Sequence, residues 1–280
     1  MIDFCHISPT PHLDLVDGRP VHLVLAHLIE VDDSYTQWYV NQKEKYDCKI
    51  IMDNSAFEMF KQNKPMYDPN KLIDMGKKIN ADYIVLSDYP GERSEKTIET
   101  ASIQGPVFKD SGFGTFFVPQ GKTGDVEDLI TSYMFAAQSP ELIDYIGVSI
   151  LAAPLAYNVE QGNNLQRFTS RLKLMYELRE RYFFQDIMDN YQKLHLLGMV
   201  DGPNEILFMD RFKKYIDTWD SSAAIWLGLN DQNFDGSPTG RMQGKFEEEV
   251  NFNFKTNDNK LMKKAKENML YIDKLCGEMN

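Results

Sequence analysis

Short apolar runs recur along this chain, and each stops at a polar or acidic residue. Six are clearest: Lys49–Phe57, Asp82–Asp88, Thr115–Gly121, Asp144–Ser149, Leu194–Gly198 and Tyr215–Asp220. Runs this short, rich in Ile, Val, Phe and Tyr, are what strands buried on both faces of a parallel sheet look like. Phe4–Ile7 and Val21–Ala26 add two more and bring the count to eight. Helical spacing fills the intervals at Ser34–Lys45, Pro69–Lys78, Glu92–Ala101 and Val126–Ala137. A longer amphipathic segment, Leu165–Gln192, carries Leu172, Leu174, Met175 and Leu178 on or near one face. Eight strands alternating with helices predict the α/β class and a (β/α)8 TIM barrel, with an open doubly wound sheet as the alternative.

After Trp226 the pattern changes. Asn230–Gly240 is rich in turn residues and reads as a long loop. Lys260–Leu275 reads as a terminal helix with an apolar stripe and a lysine cluster at Lys260, Lys263, Lys264 and Lys266. The expectation is one barrel domain over residues 1–280, with 230–280 as an extension packed on it.

Composition narrows the class. The chain has 280 residues, 42% hydrophobic and 26% charged, which is ordinary for a globular protein and enough for a large core. No apolar run nears the ~20 residues that span a bilayer. Met1–Ile7 lacks the basic segment and apolar core of a secretory leader, so a cytoplasmic protein is expected. Cys5, Cys48 and Cys276 are isolated, and His22 and His27 lie five apart rather than four, so neither a disulfide framework nor a metal site is expected. The net charge of −12 argues against a protein that coats nucleic acid, although it leaves room for a local basic groove.

Barrels and doubly wound sheets place their chemistry at the carboxyl ends of successive strands. Asp53, Asp88, Gln120, Ser149 and Asp220 stand at those positions. Each has a plainer reading. Asp53-Asn54-Ser55 is also the pattern of an Asx turn or helix cap, and Asp220-Ser221-Ser222 that of a cap for the next helix. Asp217 competes with Asp220, Phe57 and Leu197 fit a core, and His195 inside an apolar run reads as a satisfied core histidine.

Read in order, these tips resemble the tRNA-guanine transglycosylases, and most of all the smaller phage 7-deazaguanine DNA transglycosylases. The resemblance spans residues 49–228. Asp53-Asn-Ser-Ala-Phe57-Glu58 resembles the family's Asp-Ser-Gly-Gly-aromatic-Gln segment, Ser87-Asp88-Tyr-Pro its Asp-Glu-Cys-Thr, and Val118-Pro-Gln120-Gly121 its Val-Gln-Gly. Leu196-Leu197-Gly198-Met199-Val200 with Gly202-Pro203 is similar to Leu-Met-Gly-Val-Gly-x-Pro, and Ile216-Asp217-Thr-Trp-Asp220-Ser221 to Val/Ile-Asp-x-Phe-Asp-Cys. The family's zinc-binding Cys-x-Cys-x-x-Cys and later His have no counterpart after Asp220, and its Gly-Gly and Gly-Gly-Leu segments appear as Ser55-Ala56 and Gly147-Val148-Ser149.

The resemblance implies a (β/α)8 enzyme that exchanges guanine in DNA, or in tRNA, for a 7-deazaguanine such as 7-cyano-7-deazaguanine. Asp220 is the implied nucleophile, forming a covalent glycosyl-enzyme, and Asp53 the implied acid/base. Asp88 and Gln120 would read the purine edge with backbone from Gly147, Val148 and Ser149. Phe57 would stack on one face of the base, while Leu197 and Gly198 cover the other. Two carboxylates suit the cleavage of a sugar–base bond through an oxocarbenium-like transition state. No cofactor is implied. The expected partners are a polynucleotide and a free base, not a membrane. Lys61, Lys64, Arg211, Lys213, Lys214, Arg241 and Lys245 are candidate phosphate contacts near the barrel mouth, with simple solvation as their plainer reading. A base-releasing N-glycosylase and a non-catalytic nucleotide-binding barrel are the remaining alternatives.

Overall fold

A computed structural model describes residues 1–160, 163–199, 202–240 and 249–277. Eight parallel strands form one sheet: β1 Asp3–His6, β2 Val21–Leu25, β3 Lys49–Asp53, β4 Tyr83–Val85, β5 Gly114–Phe117, β6 Tyr145–Ser149, β7 Lys193–Leu197 and β8 Thr218–Ser221. All eight arise from the apolar runs, and their order β1-β8-β7-β6-β5-β4-β3-β2 is that of a (β/α)8 barrel. Strands buried on both faces need apolar side chains at consecutive positions. Ile50, Ile51 and Met52 of β3 are accordingly all at most 1% exposed. The β1 and β2 strands lie side by side, completing the ring with no hydrogen-bonded ladder between them among the described residues.

The helices depart from the pattern where local signals are weak. Of Glu92–Ala101, the part from Ser94 on is the amino-terminal half of a longer helix, Ser94–Asp110, which runs through Gly105 and Pro106. That proline removes one i→i−4 bond without ending the helix. Leu165–Gln192 is two helices, Asn164–Glu180 and Phe183–Asp189, parted where Tyr182 takes a φ of +64°. Lys49–Phe57 is part strand and part helix, since Ala56–Lys61 is helical.

Residues 230–240 are without helix or strand, as their turn composition predicts. The terminal helix Asn259–Gly277 packs on helix Ala223–Leu229 and on β1. It is fastened by Asp273, which meets His6 Nε2 of β1 at 3.0 Å and takes two guanidinium bonds from Arg19 at 2.9 and 2.7 Å. Among the described residues, no helix is long and apolar enough to cross a membrane.

Candidate active site at the carboxyl ends of the strands

A cavity of about 570 Å³ opens where the strands end. Asp53, Asp88, Gln120, Ser149, Leu197 and Asp220 all line it, as do Phe57, Gly198 and Lys61. Residues 130 or more apart in sequence therefore converge because parallel strands deliver every tip to one end of the barrel.

Asp53 closes β3, shapes the turn that follows and lines the cavity. Its Oδ2 accepts the Ser55 N–H at 2.8 Å, and Asn54 Oδ1 accepts that of Ala56 at 2.8 Å, so the turn is an Asx turn that starts a helix. Ser55 holds a φ of +58° there. The turn aims the Asp53 carboxyl into the cavity, and burial, followed by the charge of Glu58, pushes its pKa well above the usual carboxylate range.

Asp220 sits on β8, 5% exposed. His195 Nε2 lies 2.9 Å from its Oδ1, and the Gly198 N–H donates to the same oxygen at 3.1 Å. His195 Nδ1 meets Thr218 Oγ1 at 2.7 Å, which fixes the ring. A neutral imidazole can then donate from Nε2 while Nδ1 accepts the Thr218 hydroxyl proton. Asp220 Oδ2 has no hydrogen-bond partner among the described residues. His195 is thus a core histidine, 0% exposed, whose hydrogen bond orients a cavity carboxylate. Its place in an apolar run concealed that second role. Gly198 has a φ of +68°, a backbone shape that L side chains rarely adopt, and this shape accompanies its donation to Asp220.

Asp88 and Gln120 form a second unit. Asp88 Oδ1 accepts from Asn54 Nδ2 at 2.8 Å and Oδ2 from Gln120 Nε2 at 2.6 Å. Burial raises the Asp88 carboxyl to about 6 against the pull of these bonds. Gln120 Oε1 is buried without a partner, an acceptor in want of a donor.

Gly147 and Val148 lie in the barrel wall, off the cavity lining. A Cβ on Gly147 would fall 2.7 Å from both Leu197 Cδ1 and Phe116 Cε2, so glycine permits the close packing there. The Val148 carbonyl accepts from Arg171, which sequence reasoning missed. Arg171 is 0% exposed and grips Glu205 through Nε at 2.8 Å and Nη2 at 2.7 Å. It also donates to the Leu197 and Gly198 carbonyls at 2.8 Å each. Trp219 Nε1 adds a bond to the Gly198 carbonyl at 2.7 Å. The tip of β7 is held from beneath, with its N–H left for Asp220.

Glu58, quoted in the first motif but given no role there, also lines the cavity. Burial raises its carboxyl to about 7, and its Oε2 is buried without a hydrogen bond. Phe57 is 39% exposed at the mouth, and Lys61 Nζ lies 4.5 Å above its ring while bonding Glu249 Oε1 at 2.6 Å. Lys64 is exposed just beyond this helix.

The placement of the other lysines needs correction. Lys213 and Lys214 line a separate cavity of about 330 Å³ with Asp3, Lys49 and Lys193, at the amino-terminal ends of the strands. They belong to the 3-10 helix Asp210–Tyr215, which feeds β8 from below, so they face away from the mouth. Arg211 is exposed on the same helix. Asp217 lines this lower cavity too, and its Oδ2 accepts the Leu194 N–H at 2.9 Å, which removes it as a rival to Asp220. Arg241, Lys245 and Val200 lie outside the described residues.

No protein-family model and no curated protein matches the chain. Among solved structures it is similar to the YdjI aldolase from Escherichia coli K12, with a TM-score of 0.52 and 11% identity over 99% of this chain and 91% of that one. A proposed fructose-1,6-biphosphate aldolase from Coccidioides immitis gives a TM-score of 0.49 and 11% identity over 99% and 92%. At such identity the YdjI likeness is one of fold, and it agrees with the barrel topology.

Proposed function

We propose that this protein is a transglycosylase that exchanges guanine in DNA for a 7-deazaguanine such as 7-cyano-7-deazaguanine, through a covalent Asp220–glycosyl intermediate. The observation that carries the reading is the state of Asp220. One carboxylate oxygen is clamped by His195 and Gly198 while the other has no partner among the described residues, in the same cavity as a carboxyl that favours its proton, Asp53. An oriented nucleophile and a protonated acid are the two groups that sugar–base cleavage requires.

The electrostatics say which part of a polynucleotide enters. Asp53, Glu58, Asp88 and Asp220 line the cavity, a set of acceptors that suits a neutral base rich in N–H donors better than a phosphate. Asp88 has lone pairs beyond those given to Asn54 and Gln120, and Gln120 Oε1 is unpaired. A guanine edge offers donors to both, and a base without them would leave buried acceptors unpaired. Phe57 stands at the mouth as a stacking surface for a base drawn out of its helix.

In the first half-reaction the C1′–N bond breaks, Asp220 Oδ2 bonds C1′, and Asp53 protonates the departing guanine. In the second, Asp53 takes the ring N–H proton of the incoming base, whose nitrogen displaces Asp220. The preference for DNA over tRNA follows the resemblance and the missing zinc segment.

Mass spectrometry of nucleosides after incubating the protein with DNA and 7-cyano-7-deazaguanine tests the reading. Deazaguanine in the DNA supports it. Incorporation only into tRNA in a parallel reaction moves the activity to RNA, and abasic sites without incorporation make the protein a glycosylase.

A further inference from the structure

Glu58 and Asp53 face the same cavity, one from helix Ala56–Lys61 and the other from the tip of β3. Among the described residues, neither carboxyl forms an ion pair with a lysine or arginine. His27 Nδ1 lies 3.9 Å from Glu58 Oε2, and burial lowers that imidazole to about 4, which makes it neutral in ordinary conditions. Its Nδ1 already engages Ser55 Oγ at 2.9 Å. Lys61 is bonded to Glu249 and stands over the Phe57 ring, and its charge offsets only part of the rise that burial gives Glu58. The other ionisable neighbours are Asp88, Asp220 and Glu249, all acidic, and the hydroxyls of Tyr35 and Tyr67, which are uncharged. Two buried carboxyl groups that face one cavity with so little positive charge cannot both ionise cheaply.

We propose that Glu58 governs the proton on Asp53: its negative charge keeps Asp53 in the acid form until a base departs, and then drives Asp53 to recapture a proton. This rests on the transglycosylase reading and deepens it. In the first half-reaction the electron pair of the C1′–N bond passes to the base nitrogen, Asp53 supplies the proton, and a lone pair of Asp220 Oδ2 forms the bond to C1′. Asp53 is left ionised with Glu58 also ionised, an arrangement the buried, mainly acidic cavity disfavours. The ring N–H of the incoming base relieves it by giving its proton to Asp53 as its nitrogen bonds C1′ and the electron pair returns to Asp220. Glu58 exchanges no proton itself. It is a positioning residue for charge, acting through Asp53.

The test has two readouts. Carbon-13 NMR of the side-chain carboxyls, titrated with pH, follows Asp53 directly in the wild type and in Glu58→Gln, whether or not the protein exchanges bases. The Asp53 midpoint is expected to fall by about one pH unit or more in the variant. The alkaline limb of the pH profile for base exchange should move down with it. An unmoved midpoint overturns the proposal. So does a variant inactive at every pH with an unmoved midpoint, which would place Glu58 on the substrate instead. Glu58→Asp keeps the charge and should keep the midpoint high. If Glu58→Gln does not fold, Glu58→Met, of similar length and without a charge, faces the same two outcomes. A wild type that exchanges no base sinks the transglycosylase reading, while the titration still decides the coupling.

Discussion

His195 Nε2 lies 2.9 Å from Asp220 Oδ1, which also accepts the Gly198 N–H, while Asp220 Oδ2 has no hydrogen-bond partner among the described residues. Replacing Asp220 by Ala or Asn should lower base exchange on the order of a thousandfold or more, and neither variant should trap a covalent DNA adduct on a denaturing gel. Adduct formation by Asp220→Asn would assign the nucleophile elsewhere. His195→Phe should keep the protein folded and its KM close to wild type while kcat falls about a hundredfold, since a misaimed nucleophile costs rate before affinity.

Asp53→Asn keeps the Asx turn's acceptor and removes the proton. Exchange should fall by about a hundred- to ten-thousandfold with circular dichroism unchanged. Full activity in that variant would rule out Asp53 as the acid.

Docking of the strand belongs to the mouth. Phe60, 51% exposed, lies one turn past Phe57, and exposed Lys64 follows the same helix, whereas Lys213 and Lys214 are at the far end of the barrel. Lys64→Gln should weaken DNA binding and reduce the slope of log affinity against log salt by about one. Phe60→Ala should raise KM for DNA. The Lys213→Gln, Lys214→Gln double variant should leave both quantities unchanged, and equal losses in the two sets would show that the strand wraps the whole barrel.

Arg171 and Glu205 form a buried ion pair beneath the β7 tip. Arg171 gives Glu205 two bonds and the Val148, Leu197 and Gly198 carbonyls three more, so Arg171→Met should destabilise the fold by about 3–5 kcal/mol in urea titrations. A change below about 1 kcal/mol would mean that water reaches the pair.

Stability should also carry the mark of Glu58. Burial lifts its carboxyl from an ordinary value near 4.5 to about 7, so the folded protein holds a proton that the unfolded chain has released across that interval. Stability therefore falls as pH rises from about 4.5 to about 7, and the loss is complete above it. Glu58→Gln removes this slope and should gain at most about 3 kcal/mol at pH 8 relative to its effect at pH 4. Parallel stability curves for the two proteins would contradict the buried, uncompensated carboxyl.

What the sequence made legible follows from range. Strands such as β3 announce themselves because burial on both faces demands consecutive apolar residues, and their order put Asp53, Asp88, Gln120 and Asp220 at one end. Helix Ala56–Lys61 stayed hidden because its six residues are too few for a helical period to stand out, although Asp53-Asn54-Ser55 had the pattern of its cap. The parting at Tyr182 has neither glycine nor proline to mark it. Arg171 could not be placed on the site because its partners lie 23–34 residues away and are mostly carbonyls, which leave no trace in side-chain pattern. His195 was visible as buried, but its partner across the β7–β8 ladder was not. The lysines before β8 were misjudged because distance along the chain to Asp220 says nothing about which end of a strand they occupy.

The ring of strands has one junction, between β1 and β2, that no ladder stitches. Asp273 spans it from outside, tied to His6 on one strand and to Arg19 at the approach to the other. The terminal helix thus works as a buckle on a belt. Loosening the buckle, as Asp273→Ala would, should let deuterium into the amides of β1 and β2 well before the other strands exchange. The barrel's mechanical weak line would then run between Ile7, just past β1, and Leu25 of β2, both of which line the cavity, giving it a wall that can yield when a ligand is pressed in.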